Sequence, residues 1–256
     1  MAFYAAALAT SAVGSAAADA PWGVTAGLEF SYIPRLDREQ RTAGFDKPES
    51  SNLSPVIPRI RVALSTPRDF RVEVGWLPPV EVFDASAHLY SIALSRAFST
   101  SMLVLAPRVT ASAGRARGSI TCNEALLRGT SSEQVYYRAV CHGRQSDDHF
   151  EPRQLSAELI VSRNARTSIV PFGSVGIRHD DVRFDIGVLR SDGTRDTDHP
   201  ILVMRTTRPF VAGGAAWRRG RVATAAELYY APGSLVTGRV RVDLEVHRTA
   251  ASSGAR

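Results

Sequence analysis

A strict alternation of apolar and charged side chains near the end of the chain constrains the fold most. Between residues 239 and 247, one set of positions is apolar: Val240, Val242, Leu244 and Val246. The intervening positions are polar: Arg239, Arg241, Asp243, Glu245 and His247. Because successive side chains of a strand point to opposite faces, this segment predicts a strand with one apolar and one charged face. Similar segments recur along nearly the whole chain, which predicts an all-β protein.

The recurring segments are joined mostly as hairpins. Short polar turns separate pairs of alternating runs, which is the sequence pattern of antiparallel neighbours. The paired runs are 59–65 with 70–76, 87–98 with 101–112, 153–163 with 167–178, and 209–218 with 221–231. A further segment, 182–190, follows a turn expected at Asp180-Asp181 and places Val182 and Phe184 opposite Arg183 and Asp185. This regular succession of strands and short turns predicts one antiparallel domain over residues 19–248.

The composition limits which partners the chain can bind and which kind of segment could cross a membrane. No run approaches the roughly 20 apolar residues of a spanning helix, so a membrane could be crossed only by strands. The net charge of +6 comes almost entirely from arginine, because Lys47 is the only lysine. These arginines are scattered along strands and not clustered, so nucleic-acid binding is not predicted. They could attract lipid phosphates or a small anionic solute.

The two ends of the chain lack strand patterning. Residues 1–18 have a short apolar centre and an Ala-x-Ala site at 16–18, which predicts a signal peptide; an Ala-rich tail is the alternative. Residues 249–256 are small, polar and unpatterned, which predicts a disordered tail.

The longest irregular stretch, the loop at 113–152, contains both cysteines. In an exported protein Cys122 and Cys141 are expected to form a disulfide, whereas in a cytosolic protein they would remain thiols. His142 and His149 lie nearby, but their spacing matches no zinc pattern. The sequence predicts neither a metal nor a cofactor, and the loop is a candidate contact for a surface partner.

Long and tight connections alternate along the chain, and aromatic side chains lie near strand ends. Both features indicate how the strands are oriented relative to the two ends of the sheet. The connections at 34–55, 79–86 and 113–152 are long, while those at 66–69, 97–100 and 164–166 are tight. Aromatic side chains lie mostly toward strand ends. In these features the chain resembles the bacterial outer-membrane β-barrel proteins. The resemblance is architectural, without a family-specific motif, and the usual terminal aromatic residue is missing.

That resemblance implies an antiparallel up-and-down transmembrane β-barrel of about 10–12 strands, with lipid outside and a polar lumen inside. It implies an outer-membrane location and a structural or transport role: a small porin-like channel or a surface-exposed binding barrel. The polar network expected to face the lumen comprises Glu29, Arg59, Arg61, Arg71, Glu73, Glu158, Arg183, Asp185, Glu227, Arg239, Arg241, Asp243 and Glu245. Pairing across strands would plug the bore. Unpaired arginines would line a narrow pore.

Two alternatives remain open from the sequence. A soluble, secreted β-sandwich or lipocalin-like ligand-binding protein, periplasmic or extracellular, would show the same alternation with its apolar face turned into a core. An outer-membrane lipid hydrolase would need an acid–base pair, for which His179 beside Asp180 and Asp181, with Ser174 on the adjoining strand, is the candidate. No nucleophile-elbow motif supports that activity, so catalytic residues are not assigned and an enzyme is not the expected class.

Overall fold

The computed structural model describes residues 22–32, 56–82, 85–119, 121–164, 167–194, 201–232 and 236–248, and in them the chain forms one closed antiparallel β-barrel. The expected signal peptide and the expected C-terminal tail lie outside these residues. Ten long strands make the wall, in agreement with the predicted 10–12, and a two-residue strand lies beside them. The even number and the antiparallel order are those of bacterial membrane barrels.

The strands are β1 Gly23–Tyr32, β2 Val56–Thr66, β3 Phe70–Val82, β4 Ala85–Arg96, β5 Phe98–Ser99, β6 Leu103–Gly118, β7 Asp148–Arg163, β8 Ile169–Asp185, β9 Ile201–Arg219, β10 Val222–Tyr230 and β11 Val236–Arg248. Two short helices, α1 Glu124–Arg128 and α2 Ser132–Val140, lie between β6 and β7. Within the described ranges, neither helix is long and apolar enough to cross a membrane.

Each long strand pairs with its neighbours in the chain, and two further pairings complete the ring. The first strand pairs with the last, so that Glu29 lies opposite Arg241. β4 pairs with β6 past the short β5. The barrel therefore has no open edge, and the backbone groups of every long strand are engaged on both sides, as an apolar solvent requires.

The two ends of the barrel differ. At one end, here called the turn end, β1 begins, β11 ends, and tight turns such as Pro67–Asp69 join the strands. Arg68, Asp69 and Gly220 adopt positive φ in these turns. The opposite end, here called the loop end, carries the connection between β6 and β7 with its two helices, and the connection between β8 and β9.

Burial is inverted relative to a soluble protein. Charged side chains that point into the barrel are buried, including Glu29 at 0% exposure and Arg239 at 1%. Apolar side chains on the outward face are exposed on every long strand, as with Leu28, Val62 and Leu228. Small apolar clusters also fill the interior, such as Ala97, Val104, Ala106 and Ile160. A soluble sandwich or lipocalin-like barrel would have the opposite arrangement, so the apolar alternation does not build a soluble core here.

Two details differ from the expected strand map. The connection expected at 79–86 is short, because β3 and β4 remain paired as far as Val82 and Ala85. Asp180 and Asp181, expected in a turn, lie within the continuous strand β8. Long strands that project beyond the membrane can carry acidic residues in their middle. A prediction based on turn propensity places a turn at such residues.

The continuity of β8 reverses the faces of two predicted network residues. The sequence places Arg183 and Asp185 on the inward face, but the structure places them on the outward face. Phe172, Arg178, Asp180 and Val182 are the buried, inward positions of β8, and a period of two then turns residues 183 and 185 outward. Arg183 is accordingly exposed and lies opposite Glu151 on the neighbouring strand.

Candidate functional site

The candidate site is a network of ion pairs that fills the interior of the barrel, here called the bore network. Its members within the described residues are Glu29, Arg59, Arg61, Glu73, Arg108, Glu158, Arg178, Asp180, Glu227, Arg239, Arg241 and Asp243. They come from β1, β2, β3, β6, β7, β8, β10 and β11. Contacts between non-neighbouring strands show that the side chains meet across the bore and do not merely line its wall.

Glu73 is the centre of this network. It forms ion pairs with arginines from three other strands: Arg61 of β2, Arg108 of β6 at 2.6 Å, and Arg241 of β11 at 3.2 Å. Arg108 also reaches Glu158 on β7 at 3.1 Å. A single carboxylate therefore joins opposite parts of the barrel wall, and charge-assisted contacts of this kind are stronger than neutral hydrogen bonds.

Two arginines, Arg59 and Arg61, share the carboxylate of Glu29 on β1. Arg59 Nη1 donates to Glu29 Oε1 at 3.0 Å, and Arg61 Nη1 donates to Glu29 Oε2. Arg61 therefore bridges Glu29 and Glu73 through its two terminal nitrogens, which is the fork geometry that lysine cannot provide. A lysine at position 61 could not hold the two carboxylates in this way.

An aromatic ring organises the other side of the bore. Arg178 Nη1 donates to the hydroxyl of Tyr229 at 2.7 Å, and the guanidinium of Arg239 lies 4.4 Å from the centre of the same ring. Arg178 also pairs with Asp180, and Arg239 pairs with Glu227 at 3.5 Å. Cation–π contact with a desolvated arginine adds to these ion pairs.

Small inward residues make room for larger side chains of the neighbouring strands. A Cβ added at Gly75 would lie 3.1 Å from Arg59 Cδ, and a Cβ added at Gly176 would lie 2.6 Å from Phe210 Cζ. Ala93 and Thr110 are likewise small, inward and buried. Glycine at positions 75 and 176 thus leaves room for Arg59 and Phe210.

The network leaves little space in the bore. None of the ion-paired side chains of the bore network that bridge strands is more than 8% exposed. Side chains that line a water-filled pore remain exposed to that water, whereas these do not. The bore is therefore closed by its own side chains at this level, as expected for small barrels.

Most of the predicted network residues lie inside the barrel. Nine of them are buried: Glu29, Arg59, Arg61, Glu73, Glu158, Glu227, Arg239, Arg241 and Glu245. Arg71 and Asp243 also point inward but are partly exposed, Arg71 at 24% of its side chain. The predicted network lacks Arg108, Arg178 and Asp180. The register of β6 places Arg108 opposite Glu158, and the uninterrupted alternation of β8 places Arg178 and Asp180 on its inward face.

The outward face carries an apolar band that encircles the barrel. Along β8 it runs from Ile169 to Ile177, and at a rise of about 3.3 Å per residue with the usual strand tilt this is roughly 20 Å high. Exposed aromatic side chains lie along its borders: Tyr32, Trp76, Tyr90, Phe98, Trp217 and Tyr230. An apolar band with bordering aromatic rings is the surface that a bilayer covers.

Beyond this band, β6 to β9 continue at the loop end as a charged wall. Arg115 pairs with Glu151, Arg117 pairs with Asp147, and Arg205 pairs with Asp181. The hydrogen bond from Arg115 lowers the pKa of Glu151, and the hydrogen bond to Asp147 raises the pKa of Arg117. The charged wall is thus a set of matched, solvated ion pairs.

The disulfide-closed segment folds over the loop end of the barrel. Cys122 and Cys141 are bonded, as the sequence predicts. Both are buried in a cluster with Ile186 and Val188, against which Phe184 and Leu202 pack. The segment 121–147, here called the cap, therefore rests on residues that extend the inward face of β8.

A buried carboxylate attaches the cap to the barrel. Asp148 accepts hydrogen bonds from the backbone N–H of Gly187 at 2.8 Å, from the backbone N–H of Thr121 at 2.5 Å, and from the hydroxyl of Ser146 at 2.8 Å. Ser146 in turn accepts from the backbone N–H of Cys122 at 2.9 Å. One side chain therefore joins both ends of the cap to the segment after β8.

We expect Asp148→Ala to release the cap while the barrel stays folded. The change removes the acceptor of two buried donors and one partly buried donor, at a cost of about 1–3 kcal/mol for each buried group left unsatisfied. Limited proteolysis should cleave within residues 121–147 at least ten times faster than in the wild type, with the heat-dependent gel mobility of the barrel unchanged. Asp192→Ala, in the exposed loop after β8, is the control; unchanged proteolysis in Asp148→Ala would contradict this attachment.

The residues considered for hydrolysis do not assemble into a site. Ser174 and Asp180 point inward and are buried, whereas His179 and Asp181 lie on the outward face of the same strand. The Nδ1 atom of His179 contacts the hydroxyl of Thr207 at 2.9 Å. The alternation of β8 keeps Ser174 and His179 on opposite sides of the barrel wall. Within the described residues, no group of His, Cys, Asp or Glu side chains is arranged to hold a metal ion.

Comparison with known proteins gives matches in structure and none in sequence. No family profile and no curated protein matches the chain. The crystal structure of Ail, the attachment invasion locus protein of Yersinia pestis, matches with 8% identity and a TM-score of 0.37, over 89% of this chain and 97% of that chain. The translocator domain of the autotransporter NalP from Neisseria meningitidis matches with 12% identity and a TM-score of 0.34, over 87% and 88%. The Pseudomonas putida toluene transporter TodX matches with 13% identity and a TM-score of 0.31, over 88% and 68%.

Proposed function

We propose that this chain is an outer-membrane β-barrel that acts at the cell surface through its cap and does not conduct solutes through an open bore. The closed bore network carries the proposal: ion pairs from opposite walls meet, and their side chains are at most 8% exposed. An arginine-lined channel would need unpaired guanidinium groups facing water. Here Arg61, Arg108 and Arg241 share the carboxylate of Glu73.

The outward face supports the membrane location. Exposed valine, leucine and isoleucine side chains surround the barrel in a band roughly 20 Å high, close to what a tilted strand of an outer-membrane barrel presents to lipid. A soluble protein seldom exposes a contiguous apolar patch of more than a few hundred Å². Recovery in the outer-membrane fraction, with a gel mobility that changes on boiling, is the expected result; recovery in the soluble periplasm would contradict the proposal.

The cap supports the role at the surface. It is fixed by a disulfide and by Asp148, yet α2 keeps Val135, Tyr136 and Val140 exposed outside the apolar band. Exposed aromatic and aliphatic side chains on an ordered element are typical of surfaces that bind a partner. The cap, and not the bore, is therefore the proposed contact for a surface partner.

Conductance in planar bilayers tests the closed bore. We expect no stable single-channel conductance from the wild-type protein. The double variant Arg108→Ala/Glu158→Ala removes two long side chains of opposite charge from the bore and leaves Glu73 paired with Arg61 and Arg241, so it should conduct. The matched control Arg115→Ala/Glu151→Ala removes an ion pair from the charged wall and should not conduct. Stepwise conductance of the wild type would show that the bore is open.

A further inference from the structure

Exposed arginines form an arc on the outer surface at the turn end. Arg96, Arg163 and Arg219 are the last residues of β4, β7 and β9, and all three are exposed on the outward face. They are here called the arginine arc. Two further exposed arginines, Arg68 and Arg221, lie in the neighbouring turns.

The depth of the arginine arc follows from the strand period. Each arginine comes two residues after the last apolar outward side chain of its strand: Leu94 on β4, Val161 on β7 and Trp217 on β9. Two residues along a strand correspond to about 6–7 Å. If the apolar band lies in the hydrocarbon core, the three guanidinium groups therefore lie at the level of the lipid headgroups.

Pairing distinguishes the arginine arc from three arginines of the charged wall. On the charged wall, Arg115, Arg117 and Arg205 each pair with a carboxylate. In the part of the chain that the structure describes, no carboxylate forms an ion pair with Arg96, Arg163 or Arg219. Arg218, which faces inward beside Arg219, pairs instead with Glu245 at 3.6 Å. Among the described residues, the arginine arc thus presents positive charge that no carboxylate neutralises by an ion pair.

Aromatic rings position part of the arc. The guanidinium of Arg96 lies 5.0 Å from the ring centre of Phe70 and 4.9 Å from that of Phe98. Trp217, exposed on the same outward face as Arg219, borders the apolar band there. Aromatic rings favour the interface between hydrocarbon and headgroups, and stacking restrains the long arginine side chain at that level.

We propose that the arginine arc binds the phosphate groups of anionic phospholipids in the periplasm-facing leaflet. Guanidinium forks bind phosphate oxygens through two parallel hydrogen bonds, and each cation near an anionic membrane surface adds to the attraction. This inference rests on the proposed membrane location with the turn end on the periplasmic side. The arc fixes the vertical position of the barrel and selects its neighbouring lipids.

Quenching of tryptophan fluorescence by brominated lipids measures this selection. In a Trp22→Phe/Trp76→Phe background, Trp217 is the only tryptophan and it borders the arc. The protein is folded into vesicles of phosphatidylcholine and phosphatidylglycerol in which either lipid carries the bromine atoms. We expect phosphatidylglycerol to occupy sites beside Trp217 with about threefold to tenfold higher relative affinity at low salt, and this preference should fall in 1 M salt.

Matched triple variants identify the residues responsible. Arg96→Gln/Arg163→Gln/Arg219→Gln should bring the relative affinity to about one. Arg115→Gln/Arg117→Gln/Arg205→Gln, which removes three outward arginines of the charged wall at the loop end, should leave the preference unchanged. The heat-dependent gel mobility of each variant reports whether the barrel is folded, independently of its lipid neighbours.

Three outcomes would overturn the inference. Equal quenching by the two lipids around a folded wild-type barrel would refute lipid selection while leaving the proposed function intact. Failure of the wild type to fold into bilayers would refute both proposals. If the arc variant loses retention on purified peptidoglycan and keeps the lipid preference, the partner of the arc is the acidic cell-wall polymer and not phospholipid.

Discussion

Glu73→Ala is expected to lower the free energy of unfolding by about 3–5 kcal/mol, because it removes one partner from a buried ionic network. Arg61, Arg108 and Arg241 would lose the carboxylate that they share inside the bore. The three positively charged guanidinium groups would then remain close together without the shared negative charge. Denaturant titration in bilayers, followed by the gel mobility of the folded barrel, measures the change.

Glu151→Ala is the matched control for this experiment. Glu151 also pairs with an arginine, Arg115, but on the charged wall, where the side chains are 29% and 51% exposed. Ion pairs in water contribute about 0–1 kcal/mol, so the control should change stability little. Equal losses in the two variants would show that water reaches the bore network, and would contradict the closed bore. Glu73→Gln should fall between them, because it keeps the shape of the side chain and loses only its charge.

The strands and most inward positions follow from the sequence because a period of two is a local property. Within β1, β2 and β11 each charged residue alternates with an apolar residue, so Glu29, Arg59 and Arg241 are assigned to a face without knowledge of any partner. The disulfide follows from the sequence for an exported chain, since Cys122 and Cys141 are the only cysteines.

The wrong predictions occur where a local sequence rule disagrees with the actual length of a strand. Asp180-Asp181 has the composition of a turn, but β8 continues through it for 17 residues, and the faces of Arg183 and Asp185 are reversed as a result. Arg108 was not recognised because its strand has a mostly small, neutral inward face. Glu158 lies directly opposite Arg108 on β7, but the contact with Glu73 crosses β4 and depends on the curvature of the sheet.

Which charged side chains pair across the bore depends on how the barrel closes and not on the local sequence. Glu73 meets Arg241 although β3 and β11 are separated by β1 and β2 in the sheet. Nothing in the alternation of either strand specifies this pair; strand number, stagger and side-chain length together determine which charges meet across the bore. Eleven of the thirteen predicted members point inward as the sequence predicts, nine of them buried, but the hub at Glu73 could not be identified from the sequence.

Val240→Arg is expected to lower the free energy of unfolding in bilayers by about 2–4 kcal/mol. Val240 lies within the apolar band on β11, with Val236 and Val246 toward the two ends of the strand, and it is 49% exposed. In water, a substitution at such an exposed position usually changes stability by no more than about 0.5 kcal/mol. In lipid the arginine must remain charged in hydrocarbon or reach the interface at a cost. Denaturant titration of the barrel folded into vesicles gives the difference.

Val140→Arg supplies a control with the same residue type and nearly the same exposure. Val140 ends α2 in the cap and is 48% exposed, but it lies outside the apolar band. We expect its replacement to change stability by less than about 0.5 kcal/mol. Because the two valines differ chiefly in whether lipid or water surrounds them, the ratio of the two effects reports the solvent of the band. Two small, equal effects would mean that water covers Val240, and the exposed apolar surface would then need a protein partner to explain it.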